Sequence, residues 1–172
     1  MSKDTALLVI DVQTGLIDEG AYKANDLLAN VNSLTARARK SDVPVIYVQH
    51  TPDDPNDSLH PDSPGHEIVP AVAPHPGEVV VQKAVADSFQ DTTLRQELDD
   101  RGIQKLIITG MQTDYCVNAT TRRAVKLGYD VTLVSDAHTT GDGPTTQQII
   151  DDYNRDLAKE GVHLVTTDKV TF

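Results

Sequence analysis

Short apolar runs alternate along the chain with longer stretches whose apolar residues recur at helical spacing. The runs cover residues 5–10, 43–48, 78–82, 105–109, 129–134 and 162–165. Continuous apolar runs of this length are typical of strands buried on both faces. The stretches between them predict helices over 21–40, 93–101, 114–127 and 144–160. This alternation predicts an α/β fold with a parallel sheet covered by helices on both faces.

Local signals mark the ends of several of these helices. Thr93 and Gln96 fit a capping box, and Pro144 suits the first turn of the last helix. Gly128 and Gly161 follow the third and fourth helices, where a glycine commonly ends a helix. Residues 49–77 are rich in Pro, Asp, Ser and His, which predicts a long loop, and long loops in compact domains are often functional.

Length and charge restrict the possible classes of protein. A chain of 172 residues without a dividing linker predicts one domain over residues 1–172. The net charge of −11 argues against nucleic acid and anionic membranes as partners, since both require a basic surface. There is one cysteine, so no internal disulfide can form, and we expect a cytoplasmic protein. Neither GxGxxG nor GxxxxGK[ST] occurs, so no nucleotide cofactor is expected.

Residues able to do chemistry stand at the carboxyl ends of three predicted strands. Asp11 follows the first strand, Lys83 follows the third, and Cys116 lies in the turn after the fourth. Ligands of open α/β sheets bind at this edge. An acid, a base and a nucleophile on one edge predict a catalytic site.

Cys116 is predicted to lie in the first turn of a helix with Thr113 as its N-cap. The helix dipole and the nearby Lys83 would lower the pKa of the thiol, and Asp11 could exchange a proton with it. The alternative is that Cys116 is a small buried apolar residue, as single cysteines usually are.

Three segments carry a family resemblance: LLVIDVQTGLI, QKAVADSF and GMQTDYCVNATTRRAVKLGYDVTLVSDAHTT. Together they resemble the isochorismatase-like cysteine hydrolases over nearly the whole chain. The resemblance implies a three-layer α/β/α, Rossmann-like fold with a parallel six-stranded sheet. It implies a catalytic triad of Asp11, Lys83 and Cys116, with an oxyanion hole formed by the backbone N–H groups of Gln112 and Cys116. It also implies a cis peptide bond at Met111–Gln112, and a homodimer or homotetramer.

Residues beside these positions are candidates for the wall of a substrate pocket: Gln13, Leu16, Asp87, Phe89 and Tyr115. For Asp87 and Phe89 the alternatives are helix capping and core packing. His138 is expected to be exposed and without a role.

The resemblance also bears on the reaction. Nicotinamidases of the family bind a divalent metal through an Asp and two or three His, but His50 falls where they have the Asp and Pro52 where they have a His. His60 and His66 remain, without a spacing typical of a metal site, so no metal is expected. Isochorismatases proper generally lack the nucleophilic cysteine. We therefore expect hydrolysis of an amide or carbamoyl C–N bond of a small molecule, with a metal-dependent nicotinamidase or a non-catalytic binding protein as alternatives.

Overall fold

The structure, a computed structural model, describes residues 3–172. Its strands are β1 (Thr5–Ile10), β2 (Val45–His50), β3 (Val79–Lys83), β4 (Lys105–Met111), β5 (Asp130–Thr139) and β6 (His163–Val165). Its α-helices are α1 (Thr14–Asp18), α2 (Ala24–Lys40), α3 (Leu94–Asp100), α4 (Asn118–Lys126) and α5 (Thr146–Lys159). Within these residues no helix is both long enough and apolar enough to cross a membrane.

The six strands form one parallel sheet in the order β3-β2-β1-β4-β5-β6. The predicted parallel sheet is therefore confirmed. The chain builds outward from β1 to β3 and then crosses to β4 on the other side of β1. The carboxyl ends of β1 and β4 thus form the switch point where ligands of such sheets bind.

Helices cover both faces of the sheet, and alternate residues of each strand face opposite layers. Ala6, Leu8 and Ile10 of β1 pack in one apolar cluster together with residues of α3, α4 and α5. Leu7 and Val9 pack in the other cluster, against α2. Both sets of side chains are fully buried. This burial on two faces explains why the strands read as continuous apolar runs.

Gly110 allows β1 and β4 to approach each other at the switch point. Its φ is +124°, and a Cβ atom built there would lie 2.0 Å from the carbonyl oxygen of Ile10. Any side chain at this position would therefore collide with the backbone of β1.

Several helix ends differ from the sequence prediction. Helix α2 begins at Ala24 instead of residue 21, because Lys23 adopts a left-handed conformation with φ of 47°. Thr93 is the N-cap of α3, but its side chain makes no capping hydrogen bond. The hydroxyl of Thr92 instead accepts from the N–H of Leu94 at 3.2 Å. Helix α5 begins at Thr146, two residues after Pro144.

The predicted third helix has two parts. Its first turn, Thr113–Val117, is a π-helical turn, and α4 follows it. The long loop after β2 contains two short 3₁₀ turns, Pro64–His66 and Pro70–Val72. Helix α1 was missed because five residues are too few to show helical periodicity.

Candidate active site

The structure brings the side chains of Asp11, Lys83 and Cys116 together at the carboxyl edge of the sheet. Asp11 directly follows β1, Lys83 ends β3, and Cys116 lies in the turn after β4. Nζ of Lys83 is 2.9 Å from Oδ2 of Asp11 and 3.2 Å from Sγ of Cys116. The Asp11 and Lys83 side chains are fully buried. The ammonium group therefore bridges the carboxylate and the thiol.

His50 provides a third partner for this ammonium group, and the sequence analysis considered it only as a metal ligand. It is the last residue of β2, the strand between β1 and β3. Its Nδ1 lies 3.1 Å from Nζ of Lys83. An ammonium group has three N–H donors, so Asp11, Cys116 and His50 satisfy all of them. His50 lies two residues after the predicted strand 43–48, and this closeness to the carboxyl end of a strand was the available signal for this role.

Gln13 fixes the backbone of His50. Its side-chain amide donates to the carbonyl of His50 at 3.0 Å and accepts from the N–H of His50 at 2.9 Å. It also donates to the carbonyl of His66 at 2.9 Å. Gln13 is fully buried by these contacts and does not line the cavity, so the prediction of a pocket residue was wrong.

The electrostatic environment of Cys116 opposes the predicted lowering of its pKa. Burial and the negative charge of Asp11 raise the pKa of the thiol to about 12, and the charge of Lys83 only partly offsets them. The thiol is therefore protonated at neutral pH in the free protein. Oδ1 of Asp11 is buried and has no hydrogen-bond partner among residues 3–172, so it can accept a proton.

The turn that carries Cys116 is held by a buried chain of polar groups. Oγ1 of Thr113 lies 2.8 Å from Nδ1 of His138, and Nε2 of His138 lies 2.8 Å from Oδ1 of Asn154. Two predictions were wrong here. Gln112, not Thr113, is the N-cap of the turn. His138 is buried instead of exposed, because β5 extends through Thr139 and places His138 beneath the turn.

Burial also fixes the charge of His138. It lowers the pKa of the imidazole to about 4, although the hydrogen bond to Asn154 acts in the opposite direction. The ring is therefore neutral near pH 7. Since the amide of Asn154 donates to the carbonyl of Ser135, its Oδ1 accepts from Nε2–H of His138. Nδ1 of His138 then accepts from the hydroxyl of Thr113.

A cavity of about 480 Å³ opens above Cys116. It is lined by Asp11, Leu16, Glu19, His50, Asp57, Ser58, Leu59, Ala86, Gln112, Tyr115 and Cys116. Leu16 and Tyr115 thus lie on the wall, as the sequence analysis expected of them. The Met111–Gln112 peptide bond is cis, as the resemblance implied.

Asp87 and Phe89 do not line this cavity, so the structure contradicts their predicted place. Oδ1 of Asp87 accepts from the N–H of Phe89 at 2.9 Å, and its Oδ2 pairs with Arg123 at 2.8 Å. The ring of Phe89 stacks on Tyr129 with 5.8 Å between centroids. Core packing, the alternative for Phe89, is confirmed, since the ring packs against the apolar cluster. Asp87 caps no helix, because residues 84–93 form bends and turns and α3 begins only at Leu94.

The histidines considered as metal ligands do not converge. Nδ1 of His50 faces the ammonium group of Lys83, while Nε2 of His66 lies 2.9 Å from the hydroxyl of Thr51. Nδ1 of His60 accepts from the N–H of Asp62. Within residues 3–172 no three His, Cys, Asp or Glu side chains are arranged to hold a metal ion. These residues do not fit the metal site of a nicotinamidase.

Comparison with known proteins agrees with this fold. The family model described as the Isochorismatase domain matches residues 5–169. The chain belongs to the isochorismatase family. Members of this family are hydrolases, and the three-layer fold matches its solved structures. One of these, an isochorismatase from Pseudomonas putida KT2440, superimposes with a TM-score of 0.90 at 27% identity. That alignment covers 98% of this chain and 91% of the other.

Some isochorismatase-family relatives have named activities. The streptothricin hydrolase of Streptomyces noursei is 36% identical over 167 residues. The alignment covers 96% of this chain but only 60% of that relative's length. The ureidoacrylate amidohydrolase RutB of Pseudomonas syringae pv. syringae (strain B728a) is 28% identical over 171 residues, covering 78% of this chain and 70% of RutB.

Proposed function

We propose that this protein hydrolyses an amide or carbamoyl C–N bond of a small molecule, with Cys116 as the nucleophile. The observation that carries the proposal is the position of the Lys83 ammonium group, 2.9 Å from Asp11 and 3.2 Å from the thiol, beneath an open cavity. The amidohydrolase among the relatives supports the same type of reaction. A cavity of about 480 Å³ suits a small substrate and not a protein chain.

The reaction begins with a proton transfer. The carboxylate of Asp11 takes the proton from the Cys116 thiol as the sulfur attacks the substrate carbonyl carbon. Because the thiol has a raised pKa, a standing thiolate is not required; the proton leaves during the attack. The ammonium group of Lys83 stabilises the negative charge that develops on the sulfur.

Collapse of the tetrahedral intermediate breaks the C–N bond. The departing nitrogen takes the proton from Asp11 and leaves as ammonia or an amine, and a thioester with Cys116 remains. A water molecule then attacks the thioester and gives its proton to Asp11. The acid product leaves, and the thiol is restored with the proton held by Asp11.

The carbonyl oxygen of the substrate becomes an oxyanion during both attacks. We assign its stabilisation to the backbone N–H groups of Gln112 and Cys116, two residues that line the cavity at the carboxyl end of β4. Fixed backbone donors at such a position are worth about 10²–10³ in kcat when one is removed. The buried Thr113–His138–Asn154 chain would keep these donors in place.

We further propose that the enzyme works in the cytoplasm as a homodimer or homotetramer. A chain whose only cysteine is a reactive-site thiol suits a reducing compartment. Tyr115 lies next to the nucleophile on the cavity wall and is 61% exposed, which suits a second subunit covering the cavity.

A single-turnover experiment tests the reaction. The protein is mixed with a panel of primary amides, N-carbamoyl compounds and nicotinamide, and ammonia release is measured. Intact-protein mass spectrometry of quenched samples is expected to detect an acyl group on Cys116. Cys116→Ala should abolish both signals, whereas Cys116→Ser should leave substrate binding intact.

Two outcomes would favour the alternatives. Stoichiometric Zn, Fe or Mn in the purified protein, together with nicotinamide hydrolysis that is lost with chelator, would favour a metal-dependent nicotinamidase. Binding of these compounds without turnover in the wild type would favour a non-catalytic binding protein.

A further inference from the structure

The cavity above Cys116 is strongly acidic. Three of its lining side chains are carboxylic acids, namely Asp11, Glu19 and Asp57. Within the described residues, no lysine or arginine is among those that line it. Lys83 lies behind the wall, fully buried, and its charge is paired with Asp11. The two acids nearer solvent, Glu19 and Asp57, therefore have no basic partner on the cavity wall.

We propose that Glu19 and Asp57 select substrates that carry a cationic amine or guanidinium group apart from the scissile amide, and exclude substrates that carry a carboxylate. This inference rests on the proposed amide hydrolysis. It assigns the substrate class of the same site, and both acids act on substrate charge without taking part in the bond cleavage.

Local hydrogen bonds hold both acids at the cavity. Oε1 of Glu19 accepts from the hydroxyl of Ser58, which links α1 to the long loop. Oδ1 of Asp57 accepts from the N–H of Leu59 at 2.8 Å. Each carboxylate thus has one oxygen engaged by the protein and a second that can meet a ligand.

The charge of Asp57 acts on the catalytic groups. Burial and the charge of Lys83 lower the pKa of His50, whereas the negative charges of Asp11 and Asp57 act to raise it. Asp57 is therefore close enough to influence a ring that touches Lys83. A substrate group lying between Asp57 and His50 would experience the same field.

An anionic substrate would be repelled by the acids of this cavity. Its carboxylate would approach Glu19 and Asp57 with no free cation to compensate, inside a chain whose net charge is −11. Clefts lined by one sign of charge concentrate ligands of the other sign and change association rates by about 10–10³-fold. The same field would raise the local concentration of a cationic amide near Cys116.

Cys116 allows a direct measurement of this field, since it is the only thiol in the chain. Its rate of modification is measured with three methanethiosulfonates: the cationic trimethylammonioethyl, the neutral methyl and the anionic sulfonatoethyl reagent. Each rate is divided by the rate for a small free thiol in the same buffer. We expect the cation-to-anion ratio for Cys116 to exceed that of the free thiol about tenfold or more.

Matched variants assign the effect to the two acids. Glu19→Gln and Asp57→Asn should each lower the ratio, and the double variant should bring it close to that of the free thiol. Asp100→Asn makes the same change in net charge at the C-terminal end of α3, at the opposite edge of the sheet, and should leave the ratio unchanged. Salt should lower the wild-type ratio as the Debye length falls from about 30 Å at 0.01 M to about 3 Å at 1 M.

Turnover of matched amides completes the test. We expect kcat/KM for ammonia release to be highest with 5-aminopentanamide, lower with hexanamide and lowest with glutaramate. A wild-type ratio equal to that of the free thiol, or a ratio retained in the double variant, would overturn the proposal. Because the reagents need no turnover, charge selectivity without hydrolysis of any amide would count against the proposed reaction alone.

Discussion

Nδ1 of His50 lies 3.1 Å from Nζ of Lys83, although the two residues are 33 positions apart in the chain. An ammonium group can only donate, so Nδ1 must accept and the ring proton must be on Nε2. The pKa of His50 is lowered by burial and by the charge of Lys83, which keeps the ring neutral near pH 7. His50 thereby provides the third hydrogen-bond acceptor for the lysine that bridges Asp11 and Cys116.

Replacing His50 should therefore impair catalysis. We expect His50→Ala to lower kcat/KM for amide hydrolysis about tenfold or more, because Lys83 would lose one of its three acceptors and could shift away from the thiol. His50→Asn, which can supply an acceptor oxygen, should retain more activity than His50→Ala. His66→Ala removes a nearby ring that does not touch Lys83, and an equal loss in this control would contradict the assignment.

Replacing Asp11 should make the Cys116 thiol more acidic and at the same time slow catalysis. Its negative charge contributes to the raised pKa of Cys116, so Asp11→Asn should lower that pKa from about 12 and speed iodoacetamide alkylation at pH 8. The same change removes the proposed base, so kcat should fall by about 10²–10⁴-fold.

The pH dependence of alkylation and steady-state kinetics measure these two effects. Circular dichroism must show that the variant is folded, because Asp11→Asn leaves a buried lysine without its partner. Full activity in Asp11→Asn would refute the role of Asp11 as the base, and slower alkylation would refute its effect on the pKa of the thiol.

His138 should make stability depend on pH. Its pKa is lowered by burial from 6.5 to about 4 in the folded protein, so the unfolded chain binds more protons between these values. Its contribution to the free energy of unfolding is thus fully present above pH 6.5 and is lost as pH falls toward 4, by about 3 kcal/mol in total.

Urea unfolding of the wild type and of His138→Gln at a series of pH values measures this contribution. The difference between their free energies of unfolding should shrink as the pH falls from 7 to 4. A difference that stays constant with pH would contradict the prediction.

Gly110→Ala should destabilise the protein severely. The new Cβ would lie 2.0 Å from the carbonyl oxygen of Ile10, and the φ of +124° is unfavourable for alanine. We expect a loss of more than about 3 kcal/mol in the free energy of unfolding, or no folded protein.

Gly161→Ala is the matched control for this clash. Gly161 also has a positive φ, +93°, but a Cβ there would meet nothing within 4 Å. Gly161→Ala should lower the free energy of unfolding by only about 1 kcal/mol, because alanine is strained at this φ but meets no neighbouring atom. Equal losses in urea unfolding for the two variants would show that the approach of β1 and β4 is not the cause.

The sequence was informative where a property depends on neighbours along the chain. Alternation of apolar runs and helical spacing predicted the parallel sheet, and positions directly after strands placed Asp11, Lys83 and Cys116 on one edge. Parallel strands bring their carboxyl ends together by geometry, so this placement needed no knowledge of packing. Helix ends were less accurate because single residues such as Lys23, with its left-handed conformation, decide them.

Properties that depend on the surroundings of a side chain could be decided only by the tertiary structure. His50 and Lys83 meet because β2 and β3 pair in register, and His138 is buried because β5 continues beneath the nucleophile turn. Phe89 packs on Tyr129, a residue from a distant part of the chain, instead of facing the cavity. The direction of the Cys116 pKa shift depended on burial and on Asp11 together. Desolvation and Coulomb interactions sum over every group nearby in space, so the local sequence around Cys116 could not determine their balance.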